Sequence, residues 1–572
     1  MAGETPAKTK NKPGWREVLA ALRHRKTAYM LLFGFAAGLP YALLLGTLYA
    51  WLTEAEIDLE TMGVFSLIGL SYAFKFLWSP ALDRVDLPVL RRLGKRKQWI
   101  VTAQVLLGVI LVTLSALDPK SSLGWFSLLA GIGAFASATQ DVVIDAWRVD
   151  VADDVATIDM LSAVYQLGYR LAALVGGALA LILAERIGWP AVYLLMGGIL
   201  LAVGFVGLWA PDTRVDAPTA EEQDELAFLR EAGQLHPRIR ARALAAVGAL
   251  WGWALITVGV FMVRSLGSDP AARPDSVEFI TVMGPLVVVA TVVVPALIAG
   301  LLVRLSRSEK YLMPASAPCA RRSERFVDHL YRALILPLTE FVGRMGWALV
   351  LVLALVLTYR ICDSIWGTFA YPFYLGELQY SNDEVAVASK FFGVGAIVLG
   401  LALGGYLLTV LGRMMTLLLG AVLAALTNLL YADLAIGGHT MGAVADAIGF
   451  TWAVEQLGGT AKLSKLMVVI GAENLAVGIA GAAFVAWLSS IVAKGYSAVQ
   501  YALLSSLTML VGTLGRGALG QMIEEQGYYD VFILTTAIGA VAVVLVCVEW
   551  WRESRLGKRA GVIAPEAGTA PA

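Results

Sequence analysis

Five places in the chain set polar or charged groups inside long apolar runs. In SATQDVVIDAWRVD, residues 137–150, Asp141, Asp145 and Arg148 stand at i, i+4 and i+7, on one helical face, with Gln140 beside them. In YQLGYR, residues 165–170, Gln166 and Arg170 are one turn apart and Tyr169 is adjacent. Lys75 interrupts SYAFKFLWSP. Arg360 and Asp363 are spaced i, i+3 in YRICDSIWGTFAYPFY, ahead of an aromatic run that includes Trp366 and Tyr374. Glu473 and Asn474 are neighbours in ENLAVG. A charge at the centre of a membrane span costs at least ~2.5–3.5 kcal/mol on insertion scales, so such groups mark cavities, relays or internal partners. The chemistry on offer is narrow. Desolvated carboxylates titrate nearer neutrality and can carry protons. Arginine stays charged and offers a planar fork to another carboxylate.

Each of these positions also has a plainer reading. Asp145 and Arg148 fall at the membrane end of their run and suit a structural ion pair with the basic turn at 83–97, whereas Gln140 and Asp141 lie deeper and are expected to face a cavity. Arg170 could serve as an internal partner of Asp141. Lys75 is near enough to a span end to snorkel. The aromatic run 366–374 suits packing as well as the faces of a ring-shaped ligand. Glu473 has no basic neighbour in sequence and reads as a proton carrier.

The elements that hold these groups must be transmembrane helices. Hydrophobic residues make up 58% of the 572 and charged residues 15%, against about a quarter charged in a soluble domain. The apolar runs have the ~20 residues that a bilayer core requires. We read roughly 14 spans. Six lie near 29–52, 62–82, 98–117, 122–147, 160–183 and 190–210, two near 244–264 and 278–303, and six near 347–375, 384–411, 414–436, 465–492, 497–522 and 530–551. The expected organisation is a basic N-terminus (1–28), a first six-helix half (29–210), a linker (211–243), two additional helices (244–303), a second linker (304–346), a second six-helix half (347–552) and a disordered tail (553–572). Lys and Arg collect in 83–97, 211–243, 304–346 and the tail, which places both termini in the cytoplasm. The acidic loop 148–159 is the exception.

Several functions are excluded. Lys+Arg and Asp+Glu are equal at 44 each, which argues against a nucleic-acid partner. Three scattered cysteines and four histidines outside the expected spans make no metal site, and no cofactor is expected. No phosphate-binding loop, metalloprotease motif or Ser/His/Asp set is present, so neither ATP-driven transport nor an enzyme is expected. A secondary transporter remains.

Two turns support internal repetition. After the second span comes SPALDRVDLPVLRRLGKRKQ, and after the tenth GGYLLTVLGRMM. Asp83, Arg84 and Gly94–Lys97 resemble the signature loop of the major facilitator superfamily, which in that family latches two six-helix halves on the cytoplasmic side. Gly404, Gly405, Gly412 and Arg413 form a degenerate second copy. GFAAGLPYALLLGTLYAWL, FSLIGLSYAFKFLWSPALDR, ASATQDVVIDAWRVDV, ENLAVGIAGAAFVAWL and SAVQYALLSSL together resemble AmpG-type muropeptide permeases of that superfamily, with a looser version in eukaryotic acetyl-coenzyme A transporters. The similarity covers most of 29–215 and 347–552 and fades across 216–346.

That resemblance implies an all-α, two-half carrier in a bacterial inner membrane, acting as a monomer. Its cargo would be N-acetylglucosaminyl-1,6-anhydro-N-acetylmuramyl sugars, with or without stem peptides, imported with protons for peptidoglycan recycling and, in some bacteria, β-lactamase induction. It places the family's Gln–Asp pair on Gln140 and Asp141, its membrane carboxylate on Asp363, and its Glu–Asn pair on Glu473 and Asn474. Proton coupling is then expected of Asp141, Asp363 and Glu473. Cargo contacts are expected of Gln140, Gln166, Tyr169, Arg170, Arg360, Trp366, Tyr374 and Asn474. Gating is expected of Asp83, Arg84, Asp145 and Arg148. Two alternatives are another anionic cargo, such as acetyl-coenzyme A, and a sensor that binds muropeptide without moving it.

Overall fold

A computed structural model describes residues 23–57, 70–211, 235–267, 276–312, 330–360 and 372–563, with the isolated positions 327 and 370. The fold is all-α. Among the described residues, eleven helices are long and apolar enough to cross a membrane, and a bent pair makes up to twelve. In lipid every backbone N–H and C=O needs an internal partner, and a helix supplies it within one segment. The first group holds α1 (Arg25–Glu54), α2 (Lys97–Ser115), α3 (Leu123–Val151), α4 (Ile158–Ile187) and α5 (Trp189–Gly207). Next come α6 (Pro237–Phe261) and α7 (Val282–Ser306). Then α8 (Leu336–Met345) meets α9 (Ala348–Thr358) at 103°. The last group holds α10 (Asp383–Val410), α11 (Arg413–Ala435), α12 (Ala461–Ser490) and one hydrogen-bonded stretch from Ser497 to Ile563. Gly527, at φ 82°, breaks that stretch into α13 before it and α14 after it. The expected spans near 62–82 and 347–375 run partly outside the described residues.

Glycines set how closely the helices approach. A Cβ on Gly34 of α1 would run into the Tyr165 carbonyl, and one on Gly168 of α4 into the Leu31 carbonyl. The last group repeats this with Gly400 of α10 against the Leu475 carbonyl and Gly478 of α12 against the Ile397 carbonyl. Small residues let backbones touch where lipid offers no hydrophobic drive for helices to associate. Close to the first crossing both helices carry a π turn, Leu43–Thr47 and Val175–Leu179. Thr47 Oγ1 donates to the Gly176 carbonyl across the gap, 3.1 Å.

The buried clusters give the molecule its shape. At the end away from Arg25 and Arg555 one cluster draws only on the first group (Leu39, Trp51, Phe126, Trp189, Tyr193) and another only on the last (Phe373, Tyr431, Ile470, Phe532). At the end carrying Arg25 and Arg555 the clusters are shared. Val149 and Ala163 pack with Val356, Leu408, Trp487 and Tyr501. Trp147 and Met160 pack in one cluster with Tyr496 and Ala502. The two groups are thus joined at the basic end.

The inserted helices touch both groups: Ser276–Val288 packs along the Ser497–Ile563 stretch of the last group and α7 packs on α8, while α6 reaches the first group through side chains. Between Leu70 and Arg84 the expected second span is broken into short turns, with a 3-10 turn at Lys75–Leu77. Trp251 of α6 covers it, its ring 6.1 Å from Phe76. The Trp251 indole donates to the Thr291 carbonyl at 3.1 Å, inside the π turn Val289–Val293. On the other side α8 grips the loop between α12 and α13. Fully buried Glu340 pairs with Arg344 and accepts from the Gln500 amide, and Arg344 donates to the Ile491 carbonyl at 2.9 Å. Losing one partner of such a buried pair costs about 3 kcal/mol or more. Glu340→Ala is therefore expected to lower the thermal unfolding midpoint of the detergent-purified protein by several degrees. Glu340→Gln keeps an acceptor for Gln500 and should lose less.

Candidate functional site

The first centre is built where the broken 70–84 segment meets α3 and α4. The 3-10 turn points Lys75 inward, with its side chain only 2% exposed. Its ammonium closes on Asp141, and Asp145 lies 3.9 Å away. Asp141 also accepts from the Tyr165 hydroxyl, 2.7 Å. Asp145 holds Arg148 at 2.9 Å. Arg148 reaches across to the last group, donating to Ser489 Oγ at 3.1 Å, and its guanidinium lies between the rings of Tyr165 and Tyr501 at 4.7 and 5.0 Å. Asp141 is the most open of the four charges, with its side chain 14% exposed. Two cations and two carboxylates balance, which removes most of the cost of holding them in a dry site.

Several sequence expectations change here. Gln140 was expected to face the cavity with Asp141. Instead it is fully buried and donates to the Ala36 carbonyl of α1 at 2.6 Å. Successive helical residues diverge by about 100°, so the two cannot share one face. Asp145 and Arg148 were expected to pair with the basic 83–97 turn, but they pair with each other, and Asp145 also faces Lys75. Arg148 bears on the interface between the groups, where a gating residue would. Lys75 is a partner in the network and does not snorkel. Tyr165 went unremarked, although its i, i+4 spacing to Tyr169 in YQLGYR was a visible signal.

Beside this network Tyr169, Gln166 and Arg170 are half-buried on α4. The Tyr169 ring lies 5.9 Å from Tyr41 and 6.2 Å from Tyr165. Tyr41 meets Tyr72 edge-on at 5.1 Å, and Tyr72 donates to Ser137 at 2.7 Å. The structure thus gathers four tyrosines where sequence reasoning had singled out one.

The second centre lies in the last group. Tyr431 of α11 donates to the half-buried Glu473 of α12. Its oxygen is 2.8 Å from that of Tyr374, in the π turn Pro372–Glu377. Tyr374 is 4% exposed and packs with Phe373 and Tyr431 in the core of the last group, so it backs Glu473 and has little surface to offer a solute. Asn474 gives its amide to the Ile470 carbonyl at 2.9 Å. Arg360 is half-buried just past the end of α9. Asp363 and Trp366 lie outside the described residues. Tyr431 was missed because a lone tyrosine in an apolar run reads as packing.

The basic end carries a further ion-pair network that ties the two groups together. Arg96, fully buried, bridges Asp83 and Asp150, each at 2.7 Å, and donates to Ser497 at the start of α13, 3.0 Å. Asp83 accepts from the Val499 N–H at 3.3 Å, so a carboxylate sits at the positive end of that helix. Arg413, from the second copy of the turn, holds Asp159 at 2.8 Å. The Arg84 side chain is outside the described set. The acidic loop that broke the charge alternation is explained: Asp150, Asp153 and Asp159 each neutralise a cation, Arg96, Lys26 and Arg413 in turn.

Asp153 also sets a pH expectation. Burial alone would raise its pKa, but the Lys26 ammonium and the Ala156 and Val155 amides bring it below the usual carboxylate value. A depressed carboxylate contributes fully above its unfolded pKa of about 3.9 and is lost as pH falls through the folded value. Asp153→Asn should therefore leave the shape of any pH profile between about 5 and 8 unchanged, which a stability titration over that window checks.

Comparisons with known proteins agree with the geometry. The family model for the Major Facilitator Superfamily matches residues 28–454. An anhydromuropeptide permease of Escherichia coli K12 is 28% identical over 535 residues, covering 93% of this chain and 81% of that protein. A putative AmpG transporter of Rickettsia conorii is 24% identical over 519 residues, covering 90% and 94%. Among solved structures, a proton:xylose symporter superposes with a TM-score of 0.51 at 11% identity, covering 93% of this chain and 95% of its own. A peptide transporter of the POT family, in an auto-inhibited form, gives 0.50 at 14%, covering 96% and 99%.

Proposed function

Because this chain belongs to the Major Facilitator Superfamily, we propose that it imports anhydromuropeptides across a bacterial inner membrane, acting as a monomer driven by the proton gradient. The observation that carries the cargo is the similarity along 93% of the chain to the anhydromuropeptide permease of Escherichia coli. The basic end faces the cytoplasm under the positive-inside rule, so both termini are cytoplasmic. The halves are 29–210 and 347–552, and the 244–303 pair is an outer buttress.

In this reading the latch around Arg96 and Arg148 closes the cytoplasmic side, and the separate clusters at the other end leave the cavity open to the periplasm. A muropeptide offers acetamido groups, hydroxyls and stem carboxylates. Arg170 and Arg360 suit the carboxylates. Gln166, Tyr169 and Trp366 suit the sugars, with Gln140, Tyr374 and Asn474 as supports behind them. Asp141, Asp363 and Glu473 carry the coupling protons, and Asp83, Arg84, Asp145 and Arg148 gate.

The test is uptake of labelled N-acetylglucosaminyl-anhydro-N-acetylmuramic acid into proteoliposomes, with and without an inward proton gradient. Gradient-stimulated accumulation supports the reading. Tight binding without uptake points to a sensor, and neither binding nor uptake removes the cargo. A further check concerns the outer strut of the latch. Asp159 and Arg413 are partly exposed, and such pairs contribute about 0.2–1 kcal/mol. Asp159→Arg should slow uptake two- to fivefold, and the swap Asp159→Arg with Arg413→Asp should recover most of it.

A further inference from the structure

The inserted helices α6 and α7 come together at the basic end. The His236 N–H donates to the Tyr311 carbonyl at 3.0 Å, and Leu235 pairs with Leu312 as an isolated antiparallel bridge. Leu235 is buried in one cluster with Trp147 and Tyr331, which fixes this staple to the end where the two groups join. Just beyond it α6 opens with Arg238 and Arg242, four residues apart, and α7 closes with Arg304 and its capping residue Arg307. All four are exposed, and among the described residues none of them meets a carboxylate. Arg304 and Arg307 suit the negative end of α7. Arg238 and Arg242 do not suit their place: they stand in the first two turns of α6, where the helix dipole is positive, and its first turn has no acidic residue. Like charges one turn apart also repel. A negative partner from outside the chain resolves both conflicts.

Along the same faces the surface turns apolar. The exposed side of α6 continues from Arg242 through Ala249, Trp253 and Ile256, and that of α7 runs back from Arg304 through Leu301, Leu297 and Val293. Spacings of three, four and seven keep one stripe on each helix. The opposite faces are buried together, with Trp251 and Leu302 in one cluster. Beside the α6 stripe a Cβ added at Gly248 or Gly252 would meet nothing within 4 Å, so nothing crowds the surface there.

We infer that this face is a site for an anionic phospholipid, with its phosphate held among the four arginines and its acyl chains laid along the two apolar stripes. Each part of the surface answers one part of that molecule. A guanidinium fork takes two phosphate oxygens at once. Negative charge at the start of α6 meets the positive end of its dipole. Basic pockets between helices on the cytoplasmic side are where lipid phosphates bind, and in the orientation proposed above this end is the cytoplasmic one. A soluble polyanion satisfies the arginines but leaves the stripes unused. A zwitterionic lipid satisfies the stripes but brings a cation of its own to a site that already holds four. None of these residues belongs to either charge centre. The lipid therefore gives the inserted pair a task apart from cargo, which is to fix the staple to the surrounding leaflet.

The experiment uses no cargo, so its failure is separable from failure of the muropeptide reading. The full chain, purified in detergent, is titrated with phosphatidylglycerol or with phosphatidylcholine of the same acyl chains, and bound lipid is counted by native mass spectrometry. Each arginine at a membrane surface contributes about fivefold, so the parent should hold phosphatidylglycerol at least about tenfold more tightly than phosphatidylcholine. On the same scale Arg238→Gln with Arg242→Gln should weaken phosphatidylglycerol about 25-fold, and Arg304→Gln with Arg307→Gln about as much. Lysine at all four positions keeps the charge without the forks and should recover part of the loss. The control is Arg91→Gln with Arg92→Gln, two exposed arginines on another element at the same end, which should leave the affinity unchanged. Thermal unfolding midpoints verify that every variant is folded. Equal affinity of the parent for the two lipids overturns the inference. So does a control that loses as much as either pair, because the attraction is then general to the basic end. Displacement of phosphatidylglycerol by inorganic phosphate at the lipid's own concentration also overturns it, because the chains then contribute nothing.

Discussion

Glu473→Gln is expected to cut gradient-driven accumulation of anhydromuropeptide by about fiftyfold for each proton that Glu473 carries, while exchange of labelled for unlabelled cargo continues. Glutamine keeps the shape of the side chain and an oxygen for the Tyr431 hydroxyl to bond. What it cannot do is take a proton. Each elementary charge moved through 100 mV contributes ~2.3 kcal/mol, about fiftyfold in concentration ratio. That factor is what the variant should forfeit for each proton that Glu473 carries. Tyr431→Phe keeps the stacking on Phe532 at 5.3 Å and removes a hydrogen bond to a charged group, worth about 1.5–3 kcal/mol. Its accumulation should fall roughly tenfold, between wild type and Glu473→Gln. Wild-type accumulation by Glu473→Gln under a gradient would remove that residue from the coupling scheme.

Arg96→Ala is the second large effect. The guanidinium is fully buried, satisfies two carboxylates from two elements and reaches Ser497 of the opposite half. Deleting it leaves Asp83 and Asp150 facing each other without their shared cation. A loss of about 3 kcal/mol from the sealed state would move the balance between sealed and open forms about a hundredfold. Maleimide labelling of Ala163→Cys, a position 4% exposed that faces Gly405 across the seal, reports this directly once Cys319, Cys362 and Cys547 are replaced by serine, and its rate at pH 8 should rise strongly. Uptake should fall with it, because a carrier that no longer seals one side cannot hold a gradient. Arg96→Lys keeps the charge but not the fork that reaches Asp83, Asp150 and Ser497 together, so it should lie between the two. Labelling of Arg96→Ala at the parent's rate would mean that the hydrophobic contacts around Trp487 and Tyr501 seal the interface unaided.

Much of the fold was legible because lipid imposes simple rules. Length and hydropathy place the spans, and the loop charges sort one end from the other. The candidate site was legible as an inventory more than as an arrangement. Asp141, Asp145 and Arg148 do share a face, as their spacing requires, yet their partners come from residues as far off as Lys75, Tyr165 and Ser489. No periodicity encodes such contacts. Gln140 was misread because sequence adjacency to Asp141 suggested a shared environment that helix geometry forbids. Tyr431 was overlooked because its role depends on Tyr374 and Glu473, each more than forty residues away along the chain. The acidic loop 148–159 stood out as an exception only until Arg96, Lys26 and Arg413 were seen against it.

The two clusters at the end away from the basic loops draw on one half each, and this has a consequence for how variation in the chain is tolerated. A substitution at Trp51 or Tyr193, or at Phe373 or Phe532, disturbs a core that keeps its neighbours whichever way the carrier faces. Its penalty is the same in both orientations and cancels from the equilibrium between them. Such changes should register in expression yield and heat resistance and leave turnover alone. In the proposed carrier the contacts shared at the basic end part when the cytoplasmic side opens, so changes there should register in turnover first. Drift in one region and adaptation in the other can then proceed independently, giving a lineage room to retune its speed without rebuilding its scaffold.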